Sequence, residues 1–167
     1  MVSSTTTQKA GSLGRGDGMT DPIQNIVIVD DDSGMNLAIK RLLNAAGFQA
    51  LTFPSAEALL EAGSADNAAC LVVDIHLPGL SGFELSRRLQ QGGTRSPVIF
   101  VTAYDDPASL AQAVDLGAFA YLTKPFPGKS LIAAVTRAIH SEGDTESRGT
   151  TLRMGTKTEP GLRAPGP

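Results

Sequence analysis

The chain has 167 residues, of which 41% are hydrophobic, and a formal net charge of −3 at pH 7. This length is enough for one domain with a real core and too short for two ordinary ones. The sequence has no apolar run approaching the ~18 residues of a membrane helix, no secretory signal and no basic stripe suited to nucleic acid. We therefore expect a cytoplasmic protein that binds neither a membrane nor nucleic acid directly.

Residues 1–22 and 142–167 differ in composition from the segment between them. Both are rich in small and polar residues and contain few large apolar side chains. Such segments cannot bury enough apolar surface to offset the entropy that folding removes. We predict a disordered extension at 1–22, one folded domain at 23–141 and a disordered tail at 142–167.

Apolar strand patterns alternate with helical patterns along the central segment. The first strand, 26–29, precedes a helix with capping candidates Asp32 and Ser33, and Gly47 ends that helix. A later helix follows Asp106-Pro107, a cap with proline at the first helical position. The other predicted strands are 48–53, 71–73, 98–101 and 119–122, and the other predicted helices are 55–62, 81–91 and one around 131–139.

This alternation predicts an α/β fold with a doubly wound parallel sheet of five strands and five helices on its two faces. The first, third and fourth strands are continuously apolar, as strands buried on both faces are. The second and fifth are more mixed and suit the edges. We therefore predict the flavodoxin-like strand order 2-1-3-4-5, with the switch point between strands 1 and 3.

Polar side chains stand where four of these strands end. Because the carboxyl ends of parallel strands meet at one edge of a sheet, we expect these side chains to share one crevice. Carboxylates held together repel, by about 4 kcal/mol for a pair at ~4 Å with an effective dielectric constant of ~20, and a divalent cation relieves this repulsion. The pattern therefore predicts a magnesium and phosphate site. The residues are Asp30-Asp31-Asp32, Asp74, Thr102-Ala103 and Lys124-Pro125.

These residues, in this order on five βα units, resemble the receiver domain of two-component response regulators, of the stand-alone, chemotaxis-regulator-like kind. The resemblance covers residues 23–141. The stretch DIHLPGLSG at 74–82 adds to it, since receivers typically follow the accepting aspartate with a turn that contains proline and glycine.

The resemblance implies a phosphorylation site and a metal site. Asp74 would accept a phosphoryl group from a sensor histidine kinase or phosphotransfer protein. The cofactor would be Mg²⁺, with Asp31, Asp74 and the backbone carbonyl of His76 as direct ligands and Asp30 acting through water. Asp32 is better read as a helix cap than as a ligand, because the family uses two acids at this point.

The resemblance also implies how the phosphoryl group is held. The Thr102 hydroxyl would donate to it, the Lys124 ammonium would neutralise its charge, and the small Ala103 side chain would leave room for it. A cis peptide bond between Lys124 and Pro125 is implied as well.

Output is implied at a face made by the fourth helix, fifth strand and fifth helix. A switch formed by Thr102 and Tyr121 would remodel this face for a downstream protein target or for a second copy in a homodimer. Tyr121 as an ordinary edge-strand aromatic is the alternative. We expect a stand-alone receiver, or one whose output domain is absent from this chain.

Two other functions compete with a signalling module that is not a turnover enzyme. A Mg²⁺-dependent aspartyl phosphatase acting on small phosphate esters also uses an aspartate nucleophile. That class typically has a second acid two residues later, where this chain has His76. An output protein that binds DNA is disfavoured by neutral chain ends and the lack of a recognition helix in the sequence.

Overall fold

The computed structural model describes residues 23–141, and the extensions predicted to be disordered, 1–22 and 142–167, lie outside the described residues. Of the helices in this described part, none is long and apolar enough to cross a membrane. Strands and helices alternate along the chain. They are β1 (Asn25–Val29), α1 (Ser33–Ala45), β2 (Gln49–Phe53), α2 (Ala56–Ala62), β3 (Cys70–Asp74), α3 (Gly82–Gln91), β4 (Val98–Thr102), α4 (Pro107–Asp115), β5 (Ala120–Thr123) and α5 (Gly128–Ser141).

The five strands form one parallel sheet in the order β2-β1-β3-β4-β5. The continuously apolar strands β1, β3 and β4 lie inside the sheet, and β2 and β5 are its edges. Successive side chains along a strand point to opposite faces, so one face packs against α2, α3 and α4 and the other against α1 and α5. The predicted fold class and strand order are confirmed.

Side-chain caps determine where four of the helices begin. Asp32 accepts two backbone N–H groups of the first turn of α1, and Asp106 does the same for α4. Ser55 caps α2, and Ser81 forms a capping box with Glu84 at α3. These bonds satisfy N–H groups that have no partner within the helix. Asp32 is thus a cap, as predicted, and α2 and α3 begin one residue later than their sequence patterns indicated.

The start of α3 packs directly on the end of β3. The Gly82 N–H donates to the Ile75 carbonyl at 3.0 Å. A Cβ atom on Gly82 would collide with the backbone carbonyl of Asp74. The glycine of the turn after Asp74 therefore allows a close approach of helix and strand next to that carboxylate.

We predict that Gly82→Ala lowers the free energy of unfolding by about 1–3 kcal/mol, because the backbone of Asp74 cannot yield as a flexible side chain would. Gly92→Ala is the matched control, since a Cβ there comes no closer than 3.4 Å to the Arg88 and Leu89 carbonyls. Urea unfolding of both variants and the wild type measures the difference. Wild-type stability of Gly82→Ala would contradict the close packing described here.

Candidate functional site

The carboxyl edge of the sheet brings the predicted polar groups together. Val29 of β1 pairs with Val73 of β3. The next residues, Asp30 and Asp74, therefore lie beside each other at the same level of the sheet. Lys124 comes directly after β5, at the other side of β4. The Lys124–Pro125 peptide bond is cis, as predicted.

One ammonium group bridges two buried carboxylates. Lys124 Nζ lies 2.7 Å from Asp30 Oδ2 and 2.7 Å from Asp74 Oδ2. Asp30 Oδ1 accepts the N–H of Asp32 at 2.9 Å, and Asp74 Oδ1 accepts the N–H of His76 at 2.7 Å. Each carboxylate is therefore hydrogen-bonded through both of its oxygens.

The group formed by Lys124, Asp30 and Asp74 carries more negative than positive charge. Burial raises the pKa of Asp74 above its usual value, and the hydrogen bonds from Lys124 and the His76 N–H oppose this only in part. Burial also lowers the pKa of Lys124, but its hydrogen bonds to Asp30 and Asp74 outweigh that effect and leave the pKa raised. With Lys124 charged, two carboxylates on one ammonium leave an excess negative charge, which favours the approach of a cation.

A cation would find oxygen ligands here. Asp30, Asp31 and Asp74 each offer a carboxylate oxygen, and these atoms lie within 4.8 Å of one another. Asp31 is exposed at the mouth of the site, whereas the other two are buried. Magnesium prefers oxygen donors and keeps several waters, so a partly open set of carboxylates fits this ion.

A second group of contacts links Thr102 to the neighbouring strand. The buried Thr102 hydroxyl donates to the Tyr104 carbonyl at 3.0 Å, accepts the Tyr104 N–H at 3.1 Å and lies 3.4 Å from His76 Nδ1. The Tyr121 hydroxyl is 3.4 Å from the same Tyr104 carbonyl. Ala103 is exposed beside them. The two predicted switch residues, Thr102 and Tyr121, are thus connected through the backbone of Tyr104.

Three residues near the site escaped the sequence analysis. The Tyr104 ring packs edge-on against His76, with centroids 5.3 Å apart, and a loop aromatic gives no periodic signal. The carboxylate of Glu57 accepts the N–H of Leu80 in the turn after Asp74. Asn36 is buried beside Asp30. The sequence signal that could have identified it is its position on the face of α1 that carries the apolar core residues.

Comparison with known proteins places the chain in a family. The response regulator receiver domain family matches residues 26–136. The chain therefore belongs to the response regulator receiver domain family.

Similar proteins include longer transcriptional regulators. The chain is 35% identical over 115 residues to the transcriptional regulatory protein FixJ of Bradyrhizobium diazoefficiens, covering 69% of this chain and 56% of FixJ. It is 34% identical over 120 residues to the transcriptional regulatory protein TdiR of Thauera aromatica, covering 72% of this chain and 53% of TdiR. The chain thus matches about half the length of these curated relatives.

Solved receiver domains have the same fold. A response regulator receiver domain protein from Clostridium thermocellum is 28% identical, with a TM-score of 0.68, over 72% of this chain and 98% of that one. The beryllofluoride-activated receiver domain of DrrB from Thermotoga maritima is 30% identical, with a TM-score of 0.66, over 71% of this chain and 99% of that one.

We predict that Asp74→Asn stabilises the metal-free protein near neutral pH. A raised pKa means that the folded state binds the Asp74 proton more tightly than the unfolded state, so ionisation of Asp74 reduces stability as pH rises through its folded pKa. The variant should melt a few degrees higher, at ~4 °C for each kcal/mol gained. The gain in melting temperature should vanish below pH 3.8, the usual pKa of an aspartate side chain.

Thermal unfolding from pH 3 to 8 in the presence of a chelator tests this expectation. Asp115→Asn, which removes an exposed carboxylate at the end of α4, serves as the control. A pH-independent gain, or the same gain in the control, would contradict the assignment of the cost to the burial of Asp74.

Proposed function

We propose that this chain is a phospho-acceptor signalling module. In this proposal a sensor histidine kinase or a phosphotransfer protein donates a phosphoryl group to Asp74 with the help of Mg²⁺. The observation that carries the proposal is the position of Asp74, whose carboxylate lies 2.7 Å from an ammonium within a cluster of carboxylate oxygens that fits Mg²⁺. Membership of the receiver family supports it.

The proposed reaction moves the phosphoryl group between two proteins. A carboxylate oxygen of Asp74 forms a bond to phosphorus while the phosphorus–nitrogen bond of the partner's phosphohistidine breaks, and the imidazole leaves. The Lys124 ammonium, already hydrogen-bonded to Asp74, neutralises charge on the transferring oxygens. Asp31, Asp74 and the His76 carbonyl would hold Mg²⁺ directly, and Asp30 through water. The bound ion supplies further positive charge for the phosphoryl oxygens.

We further propose that Thr102 passes the signal on. Its hydroxyl makes two bonds to the backbone of Tyr104, so turning it toward a phosphoryl oxygen would break them. Tyr121, which approaches that same backbone, would then repack. Ala103 leaves space for the phosphoryl group. The consequence would be a changed α4–β5–α5 face for a downstream protein target or for a second copy of the chain.

We predict that acetyl phosphate and Mg²⁺ add one phosphoryl group to the wild-type chain and none to Asp74→Asn, because the carboxylate of Asp74 is the proposed acceptor. Intact-mass measurement detects the adduct. Asp31→Asn should keep Asp74 available but require a higher Mg²⁺ concentration, since one direct ligand is lost. Asp115→Asn, an exposed carboxylate away from the site, should behave as the wild type.

Phosphorylation of the chain and release of phosphate from small esters together separate the receiver from the aspartyl phosphatase. Phosphorylation of Asp74→Asn at the wild-type level would exclude Asp74 as the acceptor. Continuous release of phosphate from small esters at enzymatic rates would favour the aspartyl phosphatase. A single phosphoryl group per chain, lost slowly and independently of added esters, favours the signalling module.

We predict that beryllofluoride changes the amide chemical shifts of residues 104–139 in the wild type and changes them much less in Thr102→Ala. The reason is that Thr102→Ala lacks the hydroxyl that bonds to the Tyr104 backbone and that is proposed to turn toward the phosphoryl group. Nuclear magnetic resonance of labelled protein measures these shifts, and a partial population change is sufficient. Thr136→Ala on α5 is the control, because its hydroxyl donates within its own helix, to the Ile132 carbonyl. Equal responses of Thr102→Ala and the wild type would contradict this route.

A further inference from the structure

Asn36 is a buried polar side chain next to the acidic turn. It lies in the first turn of α1, and 7% of it is exposed. Its Nδ2 atom donates to the Asp30 carbonyl at 2.7 Å and to the Phe53 carbonyl at 3.3 Å. Both partners are carbonyl oxygens, so the amide nitrogen and not its oxygen must face them. The side chain therefore ties the end of β1 to the end of β2.

The bond to Asp30 constrains both acidic residues that follow β1. The accepting oxygen belongs to the planar peptide unit between Asp30 and Asp31, so holding that oxygen fixes the plane of the unit. The N–H of Asp30 donates to the Phe53 carbonyl at 3.2 Å, which holds the backbone from the other side. The bond from Asn36 therefore restricts the orientation of the peptide unit that joins Asp30 to Asp31.

The oxygen of the Asn36 amide argues against a role of this side chain in stability alone. Within residues 23–141, Asn36 Oδ1 is buried and has no hydrogen-bond partner. A buried acceptor without a partner costs folding free energy, and an apolar side chain of similar size avoids that cost. What distinguishes Asn36 from such a side chain is the pair of bonds made by its nitrogen.

We propose that Asn36 is a positioning residue for metal binding, which orients the Asp30–Asp31 turn so that both carboxylates face one Mg²⁺ ion. The proposal rests on the proposed function, since it requires that the acidic cluster bind Mg²⁺. Groups that orient metal ligands without touching the metal typically change its affinity by about tenfold or more when they are replaced.

The test compares Asn36→Leu and Asn36→Ala with the matched controls Asn44→Leu and Asn44→Ala. Leucine keeps the volume of the side chain without its donor, and alanine serves if leucine does not fit. Asn44 lies on the same helix, is exposed and accepts the Ala50 N–H at 3.1 Å, away from the acidic turn. Mg²⁺ titrations of the unphosphorylated chains, followed by amide chemical shifts, give dissociation constants, and urea unfolding gives stability.

We expect the Asn36 variants to bind Mg²⁺ about tenfold more weakly, whatever their stability. The Asn44 variants should bind it as the wild type does, even if they are less stable. In metal-free protein, hydrogen exchange of the Asp30 and Asp32 amides should accelerate in the Asn36 variants, while the amides of β3 and β4 keep their wild-type protection. A residue with a merely structural role would not change affinity and local exchange without a matching loss of stability.

Several results would overturn this role. Wild-type Mg²⁺ affinity in folded Asn36 variants would do so, as would an equal loss of affinity in the Asn44 variants. Failure of both Asn36 variants to fold, when the Asn44 variants fold, would make Asn36 a requirement of the fold and not a positioning residue. Absence of Mg²⁺ binding by the wild type would instead show that the proposed function is wrong, and the role of Asn36 would fall with it.

Discussion

Two buried carboxylates share one ammonium group, and the geometry of the site depends on this arrangement. Asp30 follows β1 and Asp74 ends the neighbouring strand β3, whereas Lys124 must reach them from the end of β5, across the end of β4. Buried charges are tolerated only when they are paired and hydrogen-bonded, so the three side chains constrain one another. The strand order brings them within reach, and the main-chain bond from the Lys124 N–H to the Thr102 carbonyl at 2.7 Å holds the lysine at its place on the edge.

The site combines an excess of negative charge with a closely packed backbone around Asp74. Burial raises the pKa of Asp74, because the ionised carboxylate loses contact with water. Gly82 keeps the start of α3 against the Asp74 carbonyl, and the His76 N–H holds one carboxylate oxygen. The acidic cluster is therefore kept at some cost in stability, as functional sites often are.

The site divides into two halves that meet at Asp74 and His76. On one side, Asn36 Nδ2 bonds to the Asp30 and Phe53 carbonyls and so connects the acidic turn to β2. On the other, Thr102 engages the Tyr104 backbone, which the hydroxyl of Tyr121 also approaches. His76 connects the halves, since its N–H binds Asp74 and its ring lies beside Thr102. The proposed metal site and the proposed switch thus use different contacts around Asp74.

The sequence alone determined the fold class, the strand order and the edge at which the polar residues gather. These follow from local information: apolar periodicity identifies each element, strand polarity separates centre from edge, and caps such as Asp32 and Asp106 mark helix starts. It also indicated that Asp74 and Lys124 would share a crevice. Only the tertiary structure decided that Lys124 also binds Asp30, from 94 positions away, and that Asn36 reaches the Phe53 carbonyl. Such bonds depend on how separate strands and loops are placed to within a few tenths of an ångström, and no local pattern in the chain encodes that distance.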